Sequence, residues 1–272
     1  MTAFTELLNT KDDNALYCPT HPEVGNLVIP TFTSNHTEGG STHATAQFAH
    51  AEGRASSAEG RYSHAEGHQT IAAGTAAHAE GMFTKALANK GAHAEGLSSV
   101  ANGQSAHAEG WGTTASSSAS HAEGYETSAT TDVAAHAEGA YTKATGNSSH
   151  AEGKYSQATK TAAHAEGLSC YAYGDESHAE GYNTTASGNY SHSEGCVAEA
   201  TGLYAHAEGY GSKAKGNASH AEGGNSSGYS GGTAEGVGSH AEGYDTLAKG
   251  NYAHAEGYQA KAYGRASHAE GY

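Results

Sequence analysis

The tetrapeptide His-x-Glu-Gly recurs seventeen times from His36 onward, fifteen times as His-Ala-Glu-Gly. Successive histidines stand 14 residues apart at thirteen of the sixteen steps. They are 15 apart from His78 to His93 and from His121 to His136, and 20 apart from His220 to His240. A disordered chain has no reason to hold such a register. A fixed period of this kind implies one small unit stacked on copies of itself.

Each unit is numbered here from its His as position 1, so that His64 is 1, Ala65 is 2 and Glu66 is 3. Ala recurs at 2 and 9, Gly at 4 and often at 11, and Ser, Thr or Ala at 7 and 14. The unit is therefore two similar halves of seven. Ser57-Ala58-Glu59-Gly60 and Thr233-Ala234-Glu235-Gly236 repeat the Ala-Glu-Gly signature at the half-unit spacing. Small residues at alternate sites read as a short strand, whose side chains point to opposite faces in turn. Positions 14, 2, 7 and 9 then point inward, and 1, 3, 8 and 10 outward. The glycines at 4 and 11 are expected to supply the corner conformations that strain a Cβ. The spacing predicts a flattened, parallel, all-β solenoid with 14-residue turns and two short strands per turn. A helix is excluded, because no 3.6-residue period exists and Gly falls every seven residues.

Composition alone points elsewhere. Leu, Ile, Val and Phe are 21 of 272 residues, and the formal net charge is −16. A chain so poor in large aliphatics is ordinarily disordered. The repeat overrides composition, since an interior two side chains thick can be filled by Ala, Ser and Thr. Thirteen basic against 29 acidic residues argue against nucleic acid as a partner. No apolar run reaches the ~18 residues of a membrane span, and the start lacks the basic and apolar regions of a secretory signal.

Residues 1–35 differ from the rest. They hold all three prolines (Pro19, Pro22, Pro30) with Leu7, Leu8, Leu27, Val28, Ile29 and Phe32. They are expected to form a capping or attachment segment that docks to a particle or a neighbouring subunit. A helical turn is expected at 4–8 and a strand at 26–32. Residues 36–272 are the solenoid. The one-residue insertions fall in the second turn of their units and the six-residue insertion near Gly224–Gly231 in the first, which leaves the strands in register. No polar cap follows the last repeat in this sequence, so the end layer is expected to continue or to stack on a partner.

The 14-residue unit of small-x-Ala-x-Gly strands resembles the YadA-like head repeat of trimeric autotransporter adhesins, over residues 36–272. Its His-Ala-Glu-Gly form is similar to repeats of phage and prophage fibre proteins. The resemblance implies a left-handed β-roll, a parallel homotrimer and a surface-binding role. Adhesin heads carry aliphatics at positions 1 and 3, where this chain carries His and Glu.

One outward face is thus uniform along the chain and the other varied. A uniform face on a rod implies a uniform neighbour, here the same face of two other chains about a three-fold axis. The expected interface residues are His50 and Glu52, His64 and Glu66, His78 and Glu80, His93 and Glu95, His107 and Glu109, His121 and Glu123, His136 and Glu138, His150 and Glu152, His164 and Glu166, His178 and Glu180, His192 and Glu194, His206 and Glu208, His220 and Glu222, His240 and Glu242, His254 and Glu256, and His268 and Glu270. Imidazole–carboxylate pairing would fix register. The adjacent Glu is expected to raise the His pKa, making the assembly most stable at mildly acidic to neutral pH. Metal or anion occupancy on the trimer axis is the alternative use of these imidazoles; no cofactor is otherwise expected. The pattern offers no catalytic residue, since His-x-Glu-Gly is not a helical zinc-protease motif and a reactive pair repeated seventeen times has no rationale.

The varied face is expected to meet a host-surface glycan or protein, with Tyr171, Tyr173, Lys213, Lys215, Tyr229, Lys261 and Tyr263 as candidates. Tyr125, Tyr182, Tyr210, Tyr244, Tyr258 and Tyr272 recur at position 5 and suggest an aromatic ladder at one corner. Cys18, Cys170 and Cys196 occupy unrelated positions, so no disulfide framework is expected. The expectation is a non-enzymatic shaft or head of a phage tail fibre, on a virion or outside the cell. The alternatives are a bacterial cell-surface adhesin or a self-assembling filament subunit, and after those a metal-binding or ice-binding solenoid.

Overall fold

The computed structural model describes residues 35–131, 133–224 and 230–271. The expected N-terminal segment, its helical turn and strand, and Cys18 lie outside the described residues, as do Tyr229 and Tyr272. Among the described residues there is no helix. Each unit contributes one longer strand that begins at the motif His and, in all but the last, one two-residue strand, as in His64–His68 and Ile71–Ala72. The longer strands form a 17-stranded sheet and the short ones a 16-stranded sheet. Every pairing is parallel and joins a unit to the next. The chain is a parallel β-solenoid whose 14-residue turn is the one the spacing predicts.

Register is set by identity. His64 pairs with His78, Ala65 with Ala79, Glu66 with Glu80 and Gly67 with Gly81. Each position therefore forms a column running along the rod. Seventeen layers at ~4.8 Å span about 80 Å. The insertions stay outside the strands. Lys213 pairs with Thr233 across the six-residue insertion, and Glu222 with Glu242. Isolated bridges from Thr75 to Lys90 and from Ser118 to Val133 hold the two one-residue insertions in the second turn.

The interior is close to the column set expected: Ala at 2 and 9 with Ser193 the one buried exception, Ser, Thr or Ala at 7 with Cys170 an exception, and Ser or Ala at 14, nearly all fully buried. So little apolar surface lies between the sheets that burial alone contributes modestly per layer. Much of the cohesion is hydrogen bonding between layers, at about 1 kcal/mol net per bond. Serine adds to it from inside. Ser56 Oγ donates to the Gly67 carbonyl at 3.0 Å, and Ser63 Oγ closes its own corner on the Gly60 carbonyl at 2.6 Å.

The two halves are less alike than their sequences suggest, and the corners differ from expectation. Gly at 4 does adopt a left-handed backbone (Gly67, φ 114°), and a Cβ there would strike the Gly81 carbonyl. It lets the longer strand run on to position 5. Gly at 11 does not have positive φ; it is small because the next layer's backbone passes over it, as Gly188 lies against Gly202. The left-handed corner residues are instead positions 6 and 13, mostly not glycine, such as Gln69 (φ 55°) and Tyr62 (φ 61°). Each such residue costs roughly 1–2 kcal/mol. The reason is the ladder. Strand amides donate to the layer after, as Ile71 N does to Thr84 O at 3.0 Å. Corner amides donate to the layer before, as Gln69 N does to Arg54 O at 2.9 Å and Tyr62 N to Gln47 O at 3.1 Å. The αL turn is what reverses the amide.

Candidate functional site: the histidine–glutamate stripe

The 17-stranded sheet places positions 1 and 3 on its outer face, in register. The motif imidazoles stack into one column. Centroids of His50 and His64 are 4.8 Å apart with planes 2° from parallel, and the spacing stays at 4.7–5.0 Å along the column to His268. The step is the strand spacing itself, so the fold dictates the stack. Beside it runs a glutamate column. His50 Nε2 lies 3.5 Å from Glu52 Oε2, His121 Nε2 3.7 Å from Glu123 Oε2 and His178 Nε2 3.9 Å from Glu180 Oε2. Near the six-residue insertion the pairing also reaches across layers, from His240 Nε2 to Glu222 Oε1 at 3.7 Å.

These are ion-pair distances, longer than a good hydrogen bond. From His50 to His254 each motif Nε2 is shielded from solvent and has no hydrogen-bond partner within the chain, although the side chains as a whole are over a third exposed. A buried, unpartnered nitrogen costs about 1–3 kcal/mol. The stripe repeats that cost layer after layer.

The electrostatics correct the sequence-based expectation. His93, His121, His136, His150, His178 and His220 all have pKa values lowered below the usual 6.5. Burial is the largest cause and the stacked neighbouring imidazoles the next; the flanking carboxylates pull the other way and lose. A motif read singly shows only the favourable Glu. The column adds two like-charged neighbours less than 5 Å away. Glu222 moves upward, through burial, a hydrogen bond with Glu208 and the charges of Glu242 and Glu208.

The varied positions lie on the other sheet's outer face. Tyr171 and Tyr173 sit in one layer with ring centroids 5.6 Å apart. Lys213 lies 3.9 Å from Glu199 and Lys215 3.4 Å from Glu235, so both are paired. Lys261 and Tyr263 are exposed. The structure brings Lys213, Lys215 and Lys261 to one shallow groove of about 380 Å³, with Glu235 and Asp245.

Aromatics line both corners. The expected position-5 ladder is broader than that position: Trp111, Tyr125, Tyr141 and Tyr155 form one run, 4.9–5.1 Å between centroids, that passes from position 5 to 6. A hydrogen bond with Tyr125 holds the Tyr141 phenol up at about 12. A second column, Phe48 on Tyr62 and Tyr190 on Tyr204, occupies position 13, which the sequence pattern does not single out. The pattern is equally silent on the role of Asn at position 12. Its Oδ1 accepts an amide from the layer before, as Asn217 does from Leu203 N at 3.2 Å and Asn251 from Val237 N at 3.1 Å. The recurring Gly-Asn pair at 11–12 is the signal for it. Cys170 is buried and Cys196 half-buried, both as free thiols.

No protein-family model matches this chain, and no curated protein matches it.

Proposed function

We propose that the chain is a structural fibre subunit, the shaft or head of a phage tail fibre or a similar surface appendage. Each chain is a left-handed β-roll, and its stripe packs against the stripes of two further copies in a parallel homotrimer. The observation that carries this reading is the row of unpartnered, solvent-shielded Nε2 atoms beside partly exposed carboxylates, repeated in every layer from His50 to His254. A second copy presents the complementary donors and acceptors at the same step, so a neighbour in register can satisfy all layers at once. A neighbour shifted by a fraction of a layer satisfies none. The opposite face varies from layer to layer and is free to make weak contacts with a host glycan or protein, multiplied by three chains.

Light scattering and electron microscopy test this. The expected result is a particle of about 82 kDa, three copies of the 27.5 kDa chain, seen as a rod about 80 Å long in its solenoid part. A monomer at micromolar concentration overturns the trimer. Replacing His136, His150 and His164 with Asp sets carboxylates against carboxylates and is expected to dissociate it.

A further inference from the structure

We propose that the stripe is also a linear array of transition-metal sites, each formed by the His and Glu of one layer with the His of the next, and that it takes zinc-like divalent ions. The inference rests on the geometry of one chain and does not depend on the trimer.

The donor set comes first. Imidazole nitrogen with one carboxylate suits Zn²⁺, Ni²⁺ or Cu²⁺; Ca²⁺ and Mg²⁺ require oxygen ligands throughout. The bite follows. A tetrahedral ion with bonds of ~2.0–2.2 Å holds its ligand atoms about 3.4 Å apart. His192 Nε2 and Glu194 Oε2 are 3.5 Å apart, and so are His50 Nε2 and Glu52 Oε2. The separation is long for a hydrogen bond and fits two ligands sharing a cation. A third donor stands ready. One ligand atom from each of His192, Glu194 and His206 lies within 4.8 Å of the others, and the same holds for His50, Glu52 and His64. A small tilt of the two stacked rings toward each other closes the set, and water completes the coordination. The unpartnered Nε2 atoms gain a partner in the process.

Charge fixes the occupancy. Each layer of the stripe carries one carboxylate, so one divalent ion neutralises two layers. Ions in alternate layers stand about 9.6 Å apart, and each uses both imidazoles of its pair. Filling every layer would place double charges ~4.8 Å apart with too few carboxylates and no second imidazole.

The test uses tag-free full-length protein stripped with EDTA and then dialysed. Zn²⁺ is titrated by calorimetry, and retained metal is measured after gel filtration. The expected stoichiometry is about one Zn²⁺ per two layers, on the order of eight per chain, with no uptake of Ca²⁺. The E52Q/E166Q/E194Q variant is expected to lose about three ions, and H43A/H68A, outside the stripe, none. Cobalt loading of the wild type gives a readout independent of the variants' folding: strong visible absorption of tetrahedral Co²⁺ is expected. Fewer than two Zn²⁺ per chain, equal uptake of Ca²⁺, unchanged stoichiometry in a folded triple Gln variant, or only weak octahedral bands would each overturn the proposal. Mass measured in EDTA separates this from the assembly reading. A trimer that takes no zinc leaves that reading intact, and a monomer that fills with zinc sinks it alone.

Discussion

The interior makes an unusual prediction about threonine. At position 7, Ser56, Ser99 and Ser156 each donate to the glycine carbonyl of the next layer at 3.0 Å. Thr113, Thr142 and Thr184 occupy the same position, are fully buried, and have no hydrogen-bond partner for Oγ1. A buried hydroxyl without a partner costs about 1–3 kcal/mol. Valine keeps the shape and the β-branching and removes the hydroxyl. Each Thr→Val exchange is therefore expected to stabilise the rod by about 1 kcal/mol, whereas Ser56→Ala, which loses a bond and leaves a small void, destabilises it by about 1 kcal/mol. Thr113, Thr142 and Thr184 are at least two layers apart, so the triple variant should approach about 3 kcal/mol by additivity. A stacked-repeat rod need not unfold in one step. Native-state hydrogen exchange, read layer by layer, is thus the assay, supported by urea denaturation. Gains should centre on the substituted layers. If Thr→Val destabilises as much as Ser56→Ala, the threonine hydroxyls are bonded and the assignment is refuted.

Other consequences are as direct. Gly81→Ala places a Cβ on the Gly96 carbonyl at φ 108°; it should open that layer by several kcal/mol and create one new site of limited proteolysis between His78 and Leu97. Asn251→Ala removes the acceptor of the Val237 amide, at about 1 kcal/mol, seen as faster exchange of that single amide. In EDTA, melting temperature should fall on acidification. Imidazoles whose folded pKa is lowered, as at His93, His136 and His150, bind protons less readily than the unfolded chain does at ~6.5. Their contribution is complete above that value and lost as pH falls through the folded values, so a profile flat from pH 8 to 5 would contradict the stacked arrangement.

How far the fold is legible in the sequence depends on what a single unit reveals. The period, the strand directions and the inward set at 2, 7, 9 and 14 follow from alternation of small residues, and the structure has all of them. Gly at 4 is legible as a backbone that strains a Cβ, although it lies within the longer strand and not at a corner. Gly at 11 looks the same in sequence but answers to a neighbour fourteen residues on, which one unit read alone does not contain. The αL residues at 6 and 13 are invisible because nothing in Gln69, Tyr62 or Phe83 announces positive φ; the demand comes from the ladder, which needs an amide turned backward at each corner. The stripe is legible as a line of His and Glu. The direction of its pKa shifts is not, because the sequence shows His150 beside Glu152, while the structure sets it equally beside His136 and His164.

That like-on-like stacking also says why the stripe needs something beyond the chain. Carboxylates in register stand about 4.8 Å apart along the whole column. Each adjacent pair repels by about 1 kcal/mol in water and by about 3–4 kcal/mol at an effective dielectric of 20. The imidazoles alongside offset little of this, because each proton added meets two stacked neighbours that resist it. A sequence free to relieve the repulsion could alternate Glu with Gln or Lys, as the opposite face alternates Glu199 with Lys213 and Lys215 with Glu235. The stripe keeps Glu in every layer. Two kinds of counter-group would match that spacing: the donors of another copy of this chain at the same step, and divalent ions at twice the step, in alternate layers. They compete for the same carboxylates, so a trimer assembled in EDTA should take up zinc more weakly than a monomer held apart by the His→Asp substitutions takes it at stripe layers away from them. If the two forms take up zinc with equal affinity, the face that binds metal is not the face that binds the chain.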